Sequence, residues 1–251
     1  MTVSAAAVSG DLMHRLARFA LRLSVALGLV ALTGCAITVP FSGTPDVNRD
    51  PFEAFNRKVF TVNTLIDETV LLPLARAYVD YVPDVLQLIA GNFLANLLDP
   101  YFAVNNLLQG KPREAVSDGA RFLINSTLGF AGFGDPATDL GLERHREDFG
   151  QTLGVWGVPT GPYLMLPVLG PSNVRDTVGW GVDIYGGLIN RFDSVTFRNS
   201  MLGLGVVQSR ARLLPAQRVL DDALDPYLLV RDSFLQRRRS QIYDGDPPDE
   251  D

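Results

Sequence analysis

The sequence predicts an all-α protein, and two observations carry this prediction. Four Asp-Pro pairs, which begin at Asp50, Asp99, Asp135 and Asp225, each place a capping carboxylate before a residue that suits the first position of a helix. Strand signals are scarce, because the chain shows neither a sustained alternation of apolar and polar residues nor an Asn-Gly hairpin turn. With 251 residues, the chain is long enough for one or two domains.

Residues 1–34 have the order of a lipoprotein signal peptide. Basic residues come first, an apolar run that is too short for a good spanning helix follows, and small residues then lead to Cys35. The tetrapeptide LTGC resembles the bacterial lipobox, which implies cleavage before Cys35 and a covalent lipid on its sulfur. The alternatives are an ordinary signal peptide with an accidental cysteine and an uncleaved anchor. Ala36, directly after the cysteine, favours the outer membrane by resemblance to enteric lipoproteins.

The rest of the chain divides into three predicted parts. Residues 35–49 hold two prolines and no helical period, so they are predicted to be a lipidated tether. Residues 50–240 form the predicted helical domain. The acidic, proline-containing residues 241–251 are predicted to be a disordered tail.

The first two helical segments of the domain are unusually apolar. Residues 51–70 are predicted to form an amphipathic helix, which lies either on the surface of a soluble core or against lipid. Between residues 85 and 110 the only charge is Asp99, and the Asp99-Pro100 pair is expected to divide this stretch into two helices. Each would be too short to cross a hydrocarbon core of about 30 Å. A helix that is apolar all round is buried in a large core or in lipid, and a lipid anchor favours lipid.

Further helices are predicted over 112–128, 174–190, 198–224 and 226–239. The last of them ends in Arg237, Arg238 and Arg239, where cations suit the C-terminal end of the helix dipole.

Composition and motifs argue against several functional classes. The net charge of −6, without a basic stripe, makes nucleic acid an unsuitable partner. A single cysteine permits neither an intramolecular disulfide nor a cysteine-based zinc site, and no motif of a hydrolase, a nucleotide-binding protein or a metalloprotease is present. His145, the one histidine after residue 34, is expected to pair with Glu147 or Asp148. The protein is therefore predicted to be no enzyme and to need no metal or cofactor beyond the lipid on Cys35.

Several segments together resemble the MlaA (VacJ) family of outer-membrane lipoproteins. They are DPFEAFNRKVFTVN, NFLANLLDPYFAVNNLLQG, RFLINSTLGFAGFGDPAT, EDFGQTLGVWGVPTGPYLMLPVLGPSNVRDTVG and LDPYLLVRDSFLQRR, which occur in this order across nearly the whole chain after Cys35. The resemblance implies amphipathic helices that form a disc or ring in the inner leaflet of the outer membrane, around a central channel. It also implies that mislocalised phospholipids leave the outer leaflet through this channel for a soluble periplasmic carrier, and that the protein associates with a trimeric porin.

The residues offer candidates for that channel. Asn56 and Asn63, seven apart on the first helix, either line the channel or bond within the helical core. Arg175 could meet a lipid headgroup, although a simple pair with Asp176 at the start of a helix is the stronger expectation.

The uncharged stretch 151–174 is predicted to be a Gly/Pro-rich, hairpin-like loop against the channel. Irregular backbone at membrane depth is tolerated only when it is buried in protein or lines a cavity. Trp156, Tyr163 and Met165 are expected to face lipid tails or the interface, and Gly157 and Gly161 to let the loop move.

Two other functions compete with lipid passage at this stage. A structural lipoprotein that scaffolds porins would bury the charge-poor helices against its partner. A membrane-anchored lipid hydrolase would need a nucleophile supported by a histidine, and the sequence offers no such arrangement.

Overall fold

The computed structural model describes residues 50–248. The predicted signal peptide, Cys35 and the predicted tether lie outside these residues, as do the last three residues of the predicted tail. None of the helices in the described part is both long and apolar enough to cross a membrane. In chain order, its α-helices are α1 (Glu53–Ile66), α2 (Leu72–Tyr81), α3 (Asp84–Leu108), α4 (Pro112–Thr127), α5 (Pro136–Asp139), α6 (Phe149–Val155), α7 (Val174–Gly186), α8 (Val195–Arg212), α9 (Gln217–Asp221) and α10 (Pro226–Ile242).

Short irregular helices connect some of these elements. A π-helical segment, Asp67–Leu71, joins α1 to α2, and 3₁₀ turns over Leu188–Arg191 and Leu214–Ala216 flank α8. The predicted helices over 112–128 and 226–239 match α4 and α10 closely. The long predicted helix 198–224 is instead broken between α8 and α9, where Pro215 lies in the 3₁₀ turn.

The burial of side chains is inverted relative to an ordinary water-soluble domain. Among the described residues, seventeen polar or charged residues are buried but only nine hydrophobic ones. Large apolar side chains are instead exposed on most helices, for example Phe55, Val85, Leu107 and Val178. Soluble domains usually bury their large apolar residues and keep charged residues outside. This fold therefore has a polar interior, and most of its helices present apolar side chains on the outer surface.

Two small apolar clusters complete the interior. One joins Val59 of α1, Tyr163, Met165 and Tyr227. The second joins Leu94 and Leu97 of α3 to Ile189. Neither cluster is large enough to serve as a single core, so the polar interactions described below carry much of the packing between helices.

Two of the four Asp-Pro pairs cap helices as predicted. The Asp135 carboxylate accepts from the backbone N–H of Thr138 at the start of α5, and the Asp225 carboxylate accepts from that of Leu228 at the start of α10. The prediction for Asp50 is wrong, because α1 begins at Glu53 without a side-chain cap. The Asp50 carboxylate instead accepts hydrogen bonds from Asn56 and from the hydroxyl of Tyr227.

The expected break at Asp99-Pro100 is also wrong. Helix α3 runs without interruption over 25 residues, with Pro100 inside it. A proline removes one backbone hydrogen bond from a helix interior, and here the helix tolerates this loss while it packs along α4. Asp99 cannot act as a cap within the helix, and its buried carboxylate pairs with Arg144 instead.

The Gly/Pro-rich stretch forms a hairpin, as the sequence predicts. Strand β1 (Tyr163–Leu166) pairs antiparallel with β2 (Gly170–Asn173), and a loop of three residues joins them. The two strands of this small sheet were not predicted, because the sequence indicated a hairpin-like loop of irregular backbone. The all-α class is confirmed, because the hairpin is the one sheet in the described part of the chain.

The described end of the chain extends past the predicted domain boundary at residue 240. Helix α10 ends at Ile242, and a turn follows in which the N–H of Gly245 donates to the carbonyl of Ser240. The Asp244 carboxylate accepts from the Lys111 ammonium at 2.5 Å. The first residues of the predicted disordered tail are therefore ordered against the domain.

Candidate functional site: a polar interior clasped by a hairpin

The polar interior is built from ion pairs and amide bonds between helices. Its largest network centres on Arg238 of α10. The Arg238 guanidinium donates twice to Asp148, at 2.5 and 2.6 Å, and once to Asp176 at 2.6 Å. Arg175 donates to the second oxygen of the Asp176 carboxylate at 2.9 Å. This network joins α10 to the start of α6 and the start of α7, where Asp148 and Asn173 are the caps.

The electrostatics of the network follow from burial and pairing. Burial alone would raise the pKa of Asp148, but the hydrogen bonds and charge of Arg238 hold that pKa below its ordinary value. The same carboxylates hold the pKa of Arg238 above its ordinary range, so the guanidinium stays charged. From the sequence, Arg238 was expected only to suit the C-terminal end of a helix, and its role in this network was missed. The one available signal was the run of three arginines, which does not show which of them faces inward.

Three further networks connect the remaining interior. Arg121 donates to both oxygens of Asp135 at 2.7 Å, and Asn125 donates to the same carboxylate at 2.8 Å. Arg144 holds Asp99 at 2.6 Å. Burial raises the pKa of Asp99, although the hydrogen bond from Arg144 opposes this shift. Buried carboxylates of this kind are stable only while their cationic partners remain in place.

The third network corrects the expectation for His145. Asp118 accepts a hydrogen bond from the His145 backbone N–H at 3.0 Å, and the His145 Nδ1 lies 3.6 Å from the same oxygen. The histidine therefore faces Asp118 of α4 and not Glu147 or Asp148. Burial raises the pKa of Asp118. Asn106 donates to the other Asp118 oxygen at 2.9 Å.

Arg146 differs from these arginines, because no hydrogen bond or ion pair of its side chain occurs among the described residues. Arg146 is exposed, so it lies at the edge of the polar interior. Partial desolvation and the neighbouring cations Arg144 and Arg212 lower its pKa, while the charge of Asp99 opposes this shift.

Two of the candidate channel residues clasp the hairpin. Asn56, which is fully buried, donates to the carbonyl of Tyr163 at 3.1 Å and accepts from the N–H of Met165 at 2.9 Å. Asn63 donates to the carbonyl of Leu166 at 2.9 Å and accepts from the N–H of Val168 at 2.8 Å. Both asparagines therefore bond to the hairpin within the fold, and their place along a channel stays a prediction.

Of the three side chains that were expected to face outward, only that of Trp156 is exposed. Trp156 is half exposed, and its indole N–H donates to the carbonyl of Leu108 at 2.9 Å. Tyr163 and Met165 are buried, so that expectation is wrong for both. Tyr163 packs edge-on against Tyr227 and Phe234. Alternate residues of a strand face opposite sides, and β1 turns these two toward α1 and α10.

The remaining candidates have defined local roles. Arg175 is buried and pairs with Asp176, which is the simpler alternative from the sequence. Gly157 and Gly161 adopt φ angles of 86° and 69°, a region that side chains disfavour. A Cβ on Gly161 would also lie 3.1 Å from the Cβ of Val174. Both glycines therefore have a conformational reason to be present, whether or not the loop moves.

Comparison with known proteins fits this architecture. The family described as MlaA lipoprotein matches residues 48–241. The chain belongs to this family. The resemblance found in the sequence is thereby confirmed, and the match covers the predicted domain 50–240.

The relatives of the chain include proteins that carry the name MlaA and one uncharacterised protein. The intermembrane phospholipid transport system lipoprotein MlaA of Escherichia coli is 37% identical, over 86% of this chain and 87% of its own length. The protein of the same name from Haemophilus influenzae is 32% identical, over 89% of this chain and 90% of its own. An uncharacterised protein of Rickettsia typhi is 36% identical over 77% of this chain.

A solved structure shows the same fold. It covers 77% of this chain and 98% of its own, with a TM-score of 0.70 and 34% sequence identity. It was described as the structural basis for maintenance of bacterial outer membrane lipid asymmetry. The all-α fold of this MlaA family member is thus supported by both sequence and structure.

Proposed function

We propose that the protein is an outer-membrane lipoprotein of an intermembrane phospholipid transport system. In this proposal it removes mislocalised phospholipids from the outer leaflet, passes them through an amphipathic channel and hands them to a soluble periplasmic carrier, which maintains lipid asymmetry. It acts without covalent chemistry on the lipid. The names of its MlaA relatives support the transport system, and the solved relative supports lipid asymmetry.

The inverted burial is the observation that carries this proposal. Exposed apolar side chains such as Phe55, Leu65 and Leu107 are unfavourable in water but favourable against lipid tails. The buried carboxylates, guanidinium groups and amides provide the opposite environment inside. A phospholipid headgroup that crosses hydrocarbon would lose its hydration at a large cost, and a polar path reduces that cost. A surface for lipid and an interior for polar groups are what lipid passage requires.

The anchor, the leaflet and the partners are parts of the same proposal. A lipid on Cys35 would hold the protein at the periplasmic side of the outer membrane, with its apolar surface in the inner leaflet. A trimeric porin would offer a rigid apolar neighbour to that surface.

Deletion of the gene tests this function. We expect phospholipid to accumulate in the outer leaflet, measured by labelling of headgroups on intact cells, and sensitivity to detergents to rise. The control is a strain that carries the gene in trans, which should restore both. If the protein only scaffolds porins, porin assembly changes while outer-leaflet phospholipid stays at its normal level, and the transport proposal fails. Release of lysophospholipid by the purified protein would instead indicate an enzyme.

A further inference from the structure

The two asparagine contacts with the hairpin form a matched pair of clamps. Each side-chain amide donates to one backbone carbonyl of the hairpin and accepts from one backbone N–H two residues later, so it imitates the edge of a neighbouring strand. The inner clamp is Asn56 with Tyr163 and Met165. The outer clamp is Asn63 with Leu166 and Val168.

The spacing of the two asparagines fits the strand that they hold. Seven residues of α-helix span about 10.5 Å and return to nearly the same face, at about 1.5 Å per residue. The centres of the two contacts on the hairpin are three residues apart, which is about 10 Å at roughly 3.3 Å per residue. Helix α1 can therefore lie along β1 and hold it at two points.

The inner clamp satisfies a donor on the outer edge of β1. The N–H of Met165 points to Asn56 and not to β2, and Pro171, which lies opposite Met165, has no N–H to donate across the sheet. A sheet of two strands is also marginally stable by itself. Because Asn56 is fully buried and its partner Met165 nearly so, the inner clamp is a fixed attachment.

The outer clamp holds a strained and exposed tip. Val168 has a φ of 67°, which is a costly conformation for a β-branched residue. Its side chain is 67% exposed and apolar, and Leu169 beside it is exposed as well. The N–H of this strained residue is the group that Asn63 accepts. Strained backbone is retained where the surrounding structure imposes it, often at sites that switch.

We propose that Asn56 and Asn63 are positioning residues for the lipid pathway, in which the inner clamp fixes the hairpin and the outer clamp is a latch that releases its tip. Release relieves the strain at Val168 and frees residues 167–169, while β1 remains attached to α1 through Asn56. The tip then moves with the lipid that passes it. The effect on lipid passage rests on the proposed function, whereas the latch itself does not.

Three variants of the full lipidated chain in nanodiscs test the latch. Asn63→Leu removes both bonds of the outer clamp, and Val168→Gly removes the strain while it keeps the clamp. Thr64→Leu is the matched control, because Thr64 lies beside Asn63 on α1 and its side chain has no bond to the hairpin. The measurements are amide hydrogen exchange at residues 165 and 168, and transfer of fluorescent phosphatidylethanolamine to acceptor vesicles.

The two latch variants are expected to act in opposite directions. Asn63→Leu should speed exchange at Val168 by roughly tenfold, as expected for the loss of two hydrogen bonds, and leave Met165 protected. Its lipid transfer should rise. Val168→Gly should slow exchange at position 168 and reduce transfer, and Thr64→Leu should change neither.

Two outcomes overturn the inference. Unchanged exchange at Val168 in Asn63→Leu would show that no latch exists. Faster exchange at Val168 with lipid transfer equal to that of Thr64→Leu would show that the latch does not position the pathway. If the unaltered chain transfers no lipid at all, the proposed function fails, while the exchange data still decide whether Asn63 holds the tip.

Discussion

Helices α1 and α10 are neighbours with opposite surfaces. Both touch the hairpin, and Arg57 of α1 joins them, since it pairs with Asp225 at 2.8 Å and lies 4.4 Å from the centre of the Tyr227 ring. Helix α1 nevertheless buries Asn56 and exposes Phe55 at 57%. Helix α10 buries Tyr227 and exposes only polar residues, which are Asp232, Ser233, Gln236 and Arg237.

This difference indicates which side of the domain meets water. The loop and helix from residue 141 to 154 also expose no large apolar side chain, and Arg238 ties this region to α10. The other long helices expose apolar residues to an extent that water would not favour. An amphipathic helix can therefore turn its apolar face outward or inward in the same fold, and the surrounding solvent determines which arrangement is stable.

The largest expected loss in the free energy of unfolding follows from replacement of Arg238, the buried arginine that holds α10. Arg238→Leu leaves the buried carboxylate of Asp176 and the partly exposed carboxylate of Asp148 without their main partner. Loss of one partner of a fully buried pair typically costs about 3–5 kcal/mol, and the 34% exposure of Asp148 places this loss at the lower end of that range. Arg237→Leu is the matched control, because Arg237 is the exposed neighbour on the same helix. We expect chemical unfolding in detergent micelles to show a large loss for the first and a loss below about 0.5 kcal/mol for the second.

The dependence on pH gives this prediction a second readout. The pKa of Asp148 is lower in the folded chain than in the unfolded chain, where it is about 4. The stabilisation by Arg238 is therefore fully present above the unfolded pKa and is lost as the pH falls through the folded pKa. The unaltered chain should therefore lose stability in this acidic range, and Arg238→Leu should lose less. Equal acid sensitivity of both proteins would contradict the role given to this pair.

A smaller effect is expected where α6 and α7 approach each other beneath α10. A Cβ on Gly179 would lie 2.5 Å from the backbone nitrogen of Gly150, which side chains essentially never do. Gly179→Ala must therefore push the two helices apart and disturb the carboxylates that Arg238 bridges, at a cost of about 1–3 kcal/mol.

Gly181→Ala is the control for this prediction, and the change in stability that it causes should have the opposite sign. Gly181 lies on the same helix, and a Cβ there has open space. Replacement of glycine by alanine within a helix typically stabilises by roughly 0.5–1 kcal/mol. Thermal unfolding should therefore place Gly181→Ala above the unaltered chain and Gly179→Ala below it, and the same sign for both would refute the close approach.

The sequence predicted the helices well because their signals are local. The caps at Asp135 and Asp225 depend on neighbouring residues alone. The wrong predictions for Asp50 and Asp99 have a tertiary cause. Each carboxylate has a stronger partner far along the chain, Tyr227 for Asp50 and Arg144 for Asp99, and no local pattern reveals such a partner.

The candidate site was predicted in part for the same reason. The seven-residue spacing of Asn56 and Asn63 placed both on one edge of α1, but the hairpin that they hold is more than 100 residues away. The orientation of Tyr163 and Met165 depends on the register of β1, which the apolar composition of the stretch did not determine. The strain at Val168 is a backbone property that the residue type gives no reason to expect.

The contrast between α1 and α10 can also be tested directly, through binding to vesicles. Leu65 on α1 is 61% exposed, and Ser233 on α10 is exposed as well. If α1 faces lipid, Leu65→Asp removes an apolar contact of about 2 kcal/mol, so vesicle binding should weaken about 30-fold. Ser233→Asp adds the same charge on the polar face of α10, which is expected to meet water, and it should leave binding to vesicles unchanged. Both are made in a Cys35→Ala chain so that a lipid anchor does not mask the result, and binding is followed by vesicle flotation. Equal binding by the two variants would contradict contact of the apolar surface of α1 with lipid.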